Sequence, residues 1–195
     1  MAVQMQRPGV QQAAWRAMGS AVVVRIVDAE PRQSEPWQPE PRHLDLVRQV
    51  VAHLEARWSR FSPTSDVSRL NAAGGTPVRV DPFTVRLLEM MASGASATDG
   101  AYDPTLLAPL VALGYAASWE DPGAVTSLAP GCALRSDVRQ VLVDREHCVV
   151  QLPPGAVIDA GGIGKGLAAD IAVEAVLASV PGAGVPGADA GAGVM

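Results

Sequence analysis

Leu44, Val47, Val51, Leu54, Trp58 and Phe61 recur at intervals of 3, 4, 3, 4 and 3 residues. At about 3.6 residues per turn they form one apolar stripe, which predicts a core-facing helix of roughly four to five turns. The stripe covers only about two and a half heptads, too few for a coiled coil. Ahead of it, residues 16–28 are rich in β-branched side chains and predict a strand, and a Pro-, Gln- and Glu-rich loop follows from Pro31 to Pro41. Behind it, Ser62-Pro-Thr-Ser-Asp66 has the chemistry of a turn. Asp81-Pro82 pairs a capping side chain with a proline and opens a helix that carries Val85, Leu88 and Met91 to about Ala97. Asp103-Pro104-Thr105 repeats the signal before Leu106, Leu107, Leu110 and Val111. Two short apolar runs, Val138–Val143 and Cys148–Leu152, predict a hairpin around Asp144–His147. Val157-Ile158-Asp159 reads as a last strand, followed by a glycine-rich turn and a helix from about Gly164 to Ser179. The fold class is therefore α+β, or mixed α/β.

Composition narrows the function classes. The chain has 195 residues, 48% of them hydrophobic, enough for one sizeable core. Its net charge is −5 and its arginines are dispersed, which argues against a nucleic-acid groove. No apolar run approaches the roughly 18 residues of a membrane span. The N-terminus shows no secretory apolar stretch, so a cytoplasmic location is expected. Cys132 and Cys148 lack metal-ligand spacing and read as two thiols, and the three histidines form no ligand pattern. Fourteen of the fifteen cations are arginine, and the single lysine, Lys165, sits within Asp159-Ala-Gly-Gly-Ile-Gly-Lys-Gly166.

That segment is the strongest candidate for chemistry. A glycine turn lets the main chain approach a ligand closely, and a helix start behind it presents N–H groups and a positive dipole end to phosphate. Lys165 would add a full charge, and Asp159 could orient a sugar hydroxyl or help bind a bridging cation. The segment is not a P-loop, because Asp159 and Gly166 stand where glycine and Ser/Thr are needed, and Leu167 breaks a dinucleotide fingerprint. The alternative is a glycine turn that only lets two elements pack tightly. Ser59–Asn71, Gly100–Thr105 and Met18-Gly19-Ser20 are weaker signals that, taken singly, read first as a capped turn, a helix cap and a strand with a close-approach glycine.

Taken in order, four segments resemble the ApbE family, the FAD:protein FMN transferases. They are Met18-Gly19-Ser20; Ser59-Arg60-Phe61-Ser62-Pro63 with Ser65 and Ser68-Arg69-Leu70-Asn71; Gly100-Ala-Tyr-Asp-Pro-Thr105 with Pro109-Leu110-Val111; and Asp159–Gly166 followed by Asp170. The resemblance implies an ApbE-like α+β fold and Mg²⁺-dependent transfer of FMN from FAD to a Thr or Ser of an acceptor redox protein, with release of AMP. It implies that Met18, Phe61, Ala101, Tyr102, Asp103, Asp159 and Lys165 contact FAD and that the Gly162 carbonyl is one magnesium ligand. The family's later His-Ile-(Ile/Leu)-Asp-Pro-x-Thr-Gly pattern and its Ala-Asp…Thr metal pair have no counterpart here, so no catalytic residue is assigned. The expectation is an N-terminal portion of a flavin transferase domain over 1–180, truncated after the glycine loop and its helix, with a Gly/Ala/Pro-rich tail over 181–195. A flavin-binding module or an inactive fragment is the alternative.

Overall fold

The computed structural model describes residues 3–7, 10–27 and 41–179. The expected loop over 31–40 and tail over 181–195 lie outside the described residues. The chain divides into two compact units, one built from residues 1–16, 21–51 and 168–195, the other from 17–20 and 52–167.

In the first unit, β1 (Val3–Arg7), β2 (Val10–Ala17) and β3 (Ser20–Val27) form a sheet in that order. β1 and β2 are antiparallel, with Val3 opposite Ala14 and Arg7 opposite Val10. The single strand expected over 16–28 is in fact two strands joined at Met18-Gly19. Both turn residues have positive φ, 52° and 68°, which a tight hairpin turn needs. A methionine in that region costs roughly 1–3 kcal/mol, so the surroundings must hold it there. The Met18 N–H donates to Glu55 Oε1 at 2.6 Å.

Helix α1 runs Pro41–Trp58, and its stripe of Leu44, Val47, Val51, Leu54 and Trp58 is buried as the spacing predicts. Phe61 is a correction: the helix stops at Trp58, and Phe61 lies in the following turn. That turn leads into a short helix, α2 (Asp66–Ala72), capped by Ser65, whose Oγ accepts from Ser68 N–H at 3.0 Å. Asp66 is buried and its carboxylate takes three donors: Asp81 N–H at 2.8 Å, Thr84 Oγ1 at 2.9 Å and Arg69 Nη1 at 3.0 Å. Charge-assisted bonds of this kind offset the cost of burying a carboxylate. They tie α2 to the start of α3 (Pro82–Ala97), which begins at Asp81 and buries Val85, Leu88 and Met91 as expected.

The signal at Asp103-Pro104-Thr105 works differently from a helix cap. Asp103 Oδ1 accepts from Thr105 N–H at 2.9 Å and from Thr105 Oγ1 at 2.6 Å, closing a turn two residues upstream of the helix proper. Helix α4 then covers only Leu107–Ala112 and has no side-chain cap.

The second sheet has the order β4-β6-β5, with β4 at Val78–Arg79, β5 at Leu142–Asp144 and β6 at Val149–Gln151. Val150 faces Val78 on one side and Val143 on the other. The expected hairpin is present but shorter, because Val138–Gln140 is a 3-10 turn started by the Asp137 carboxylate. Val157-Ile158-Asp159 is a second correction, since among the described residues no strand pairs with it. Its backbone bonds go instead to Asn71, whose Oδ1 accepts from Ile158 N–H at 2.8 Å and whose Nδ2 donates to Ile158 O at 2.9 Å. One amide side chain thereby takes the place of a neighbouring strand. The Asp159 N–H completes the tether by donating to Pro104 O at 2.9 Å. Helix α5 (Gly164–Ser179) follows the glycine turn at the expected boundaries. Among the described residues, no helix is long and apolar enough to cross a membrane.

Candidate functional site

The second unit holds a cavity of about 570 Å³ whose lining includes Met18, Arg60, Phe61, Trp119, Asp159 and Lys165. Met18 reaches it from the hairpin turn, Phe61 from the turn after α1, and Lys165 from the first turn of α5. Four of the residues expected at one site are therefore brought to one cavity, although Met18 and Lys165 stand nearly 150 positions apart in the chain.

Arg60 ties this wall together. Its guanidinium pairs with Asp159 at 3.0 Å, donates to Thr126 Oγ1 at 3.1 Å and to Tyr115 O at 2.7 Å, and lies 4.5 Å from the centre of the Phe61 ring. The Arg60 and Asp159 side chains are only 13% and 19% exposed, so the pair is shielded from solvent screening. The sequence motifs give Arg60 no role of its own, because its partners come from distant segments and leave no local pattern.

Both oxygens of Asp159 have a partner. Its other oxygen accepts from Gly161 N–H at 2.6 Å. Glu55, Glu120 and Asp121 also line the cavity, so four carboxylates face two cations there. The end suited to an anion is thus local: the exposed Lys165 ammonium at the positive end of α5.

The remaining expected residues are arranged apart from these. Tyr102 and Asp103 line a smaller cavity of about 220 Å³ together with Arg135 and Arg139, and Ala101 is exposed beside them and lines neither cavity. Burial would raise the Asp103 pKa, but hydrogen bonds from the Thr105 side chain and main chain and the Arg135 guanidinium at 2.7 Å hold its carboxyl below the ordinary value. Tyr102 is pushed the other way, up to about 12, by burial first and then by the negative charges of Asp159 and Asp103. Its phenol therefore stays protonated at neutral pH. The hydroxyl oxygen is buried with no hydrogen-bond partner. An unmet buried hydroxyl costs roughly 1–3 kcal/mol, which a ligand atom could recover.

The Tyr102 ring also explains Gly162, because a Cβ there would lie 2.7 Å from Tyr102 Cε2. At this position the glycine turn is needed for close packing, whatever else it does. The donors present do not make a magnesium site. Asp159 is taken up by Arg60 and Gly161, and among the described residues no three His, Cys, Asp or Glu side chains converge on a metal position. Gly162, the one ligand expected from this chain, lines neither cavity. Cys132 and Cys148 are free thiols.

The fold is matched by solved structures. The ApbE protein of Thermotoga maritima is 22% identical with a TM-score of 0.66, over 91% of this chain and 53% of its own. The apo flavinyl transferase ApbE of Pseudomonas stutzeri is 20% identical with a TM-score of 0.68, over 90% and 54%. The flavin transferase ApbE of Vibrio cholerae is 16% identical with a TM-score of 0.60, over 89% and 53%. No curated protein matches. The fold is thus the mixed α+β fold of ApbE structures over about half their length. The ApbE family model itself matches residues 18–184, and the chain belongs to the ApbE family.

Proposed function

We propose that the cavity of the second unit binds FAD, and that the chain serves the transfer of FMN from FAD to a Thr or Ser side chain of an acceptor redox protein. In that reaction the acceptor oxygen bonds to the FMN phosphorus as the bond from that phosphorus to the bridging oxygen breaks, the bridging oxygen leaves on AMP, and the hydroxyl proton passes to the AMP phosphate or to water. The observation that carries this reading is the convergence of Met18, Phe61, Asp159 and Lys165 on one cavity in a chain of the ApbE family. Lys165 and the start of α5 would face the diphosphate, where a charged donor and aligned N–H groups stabilise negative oxygen. Tyr102, which lines the smaller cavity, would act on this site only through its ring, which packs against Gly162 of the glycine turn. Magnesium, which supplies charge neutralisation at a diphosphate, would find among the expected ligands only Gly162, which lines neither cavity.

That shortfall favours a second reading, a flavin-binding portion of the fold that does not complete transfer alone. Incubation with FAD, Mg²⁺ and a Thr-containing acceptor protein, followed by in-gel flavin fluorescence, separates the two. Covalent acceptor fluorescence supports transfer by the chain itself. Saturable FAD binding without it supports the second reading, and absence of both overturns the FAD assignment.

A further inference from the structure

We propose that the hairpin over 116–126 is a ring-stacking arm of the same cavity, with Trp119 at its tip covering a planar heteroaromatic ring of the bound nucleotide. The proposal rests on the FAD reading above and assigns a role to a segment that reading leaves unused.

The chain has four Trp, two Tyr and two Phe, and half of these aromatics, Trp58, Phe61, Tyr115 and Trp119, line this one cavity. Two of them are conspicuously wet: Trp119 is 94% exposed and Tyr115 62%. A single exposed apolar side chain needs no explanation, but two at the rim of a cavity already walled by Trp58 and Phe61 form an open aromatic surface.

The arm is built to hold Trp119 out. Its two sides are joined by Ser118 N–H to Ala124 O at 2.9 Å and Thr126 N–H to Ala116 O at 2.8 Å, with Ala117 and Val125 bridged between them. Ser118 Oγ accepts from the N–H groups of Glu120 and Asp121 at 3.3 and 3.4 Å, and Asp121 Oδ1 accepts from Gly123 N–H at 3.0 Å. The residues on either side of Trp119 are therefore tied down while its indole remains uncovered. At the base, Arg60 grips both sides of the arm, at Tyr115 O and Thr126 Oγ1, and with the same guanidinium holds Asp159 at the glycine turn. The stacking surface and the expected diphosphate end are fixed to one another through one side chain.

Stacking on an aromatic side chain tolerates any planar base, so the chemistry does not choose between the isoalloxazine and adenine rings of FAD. The experiment does. FAD, FMN and AMP are titrated separately against the chain, Trp119→Ala and Trp119→Phe, by calorimetry and by tryptophan fluorescence quenching. Trp119→Ala should weaken FAD roughly 5- to 150-fold, the range expected for loss of one stacked ring, and Trp119→Phe should restore most of the affinity. The thermal midpoint should not move in either variant, because the indole is almost fully exposed. Weakened FMN with unchanged AMP identifies the flavin ring, and the reverse identifies adenine. FAD affinity unchanged in Trp119→Ala overturns the proposal and leaves the FAD reading standing. The same result with weakened capture of an acceptor protein turns the arm into a protein-docking surface, which also overturns it. Failure of the unaltered chain to bind FAD removes both readings.

Discussion

Lys165 is the chain's single lysine and occupies the first turn of α5, on the wall of the larger cavity. A solvated ammonium is screened, so its contribution to binding a diphosphate is modest and depends on salt. Lys165→Ala should weaken FAD about three- to tenfold at low ionic strength and less as salt is raised. An affinity unchanged at low salt would remove Lys165 from the site. Tyr102 presents the opposite case, a buried hydroxyl with no partner. Without ligand, Tyr102→Phe should leave stability unchanged or raise it by up to about 1 kcal/mol, since the variant loses only an unmet polar group. Because Tyr102 lines the smaller cavity, the variant's FAD affinity should stay within about twofold of that of the unaltered chain. A loss of stability in the ligand-free variant, measured by urea denaturation, would show that the hydroxyl is already satisfied. The two substitutions separate a side chain on the wall of the proposed FAD cavity from one that lines its smaller neighbour.

At the scale of elements, what was legible in the sequence depended on how local its cause is. The α1 stripe, the Asp81-Pro82 start of α3 and the boundaries of α5 follow from periodicity, capping and chain flexibility, all set within a few residues. The β2–β3 hairpin was hidden because its turn places a methionine at positive φ, where turn chemistry favours Gly, Asn or Asp. Val157–Asp159 looked like a strand because its side chains have a strand's composition, while its partner is a side chain from α2. Part of the site was legible for the first reason: the glycine turn and Lys165 form one contiguous segment. Arg60 and the arm over 116–126 were not, because their roles rest on contacts between distant positions. Asn71 makes the dependence testable. Asn71→Ala would leave the N–H and C=O of the buried Ile158 without partners, at a cost of roughly 2–6 kcal/mol from two unmet groups. Urea denaturation measures that cost, and a change under about 0.5 kcal/mol, the usual surface-site range, would mean that the segment is held by packing alone.

Across the whole molecule, the chain spans about half the length of the ApbE structures it matches, and within that half two parts of the proposed chemistry separate. Recognition of a nucleotide needs a cavity, an anion end and ring surfaces, and the second unit supplies Lys165, Arg60 and four aromatic side chains at one cavity. Phosphoryl transfer needs in addition a cation held by its own ligands at the diphosphate, and no such set converges among the described residues. If nucleotide binding rests on the first group alone, it should be nearly independent of divalent metal. FAD titrated in excess EDTA and again in millimolar MgCl₂ should therefore give dissociation constants within about twofold of each other, a difference of roughly 0.4 kcal/mol. A tenfold or larger gain with Mg²⁺ would instead require about 1.4 kcal/mol of metal-linked binding. That would place a cation between the diphosphate and carboxylates such as Glu55, Glu120 or Asp121, which also line the cavity. It would mean that the acidic wall, which opposes a bare diphosphate, serves the metal-bound one.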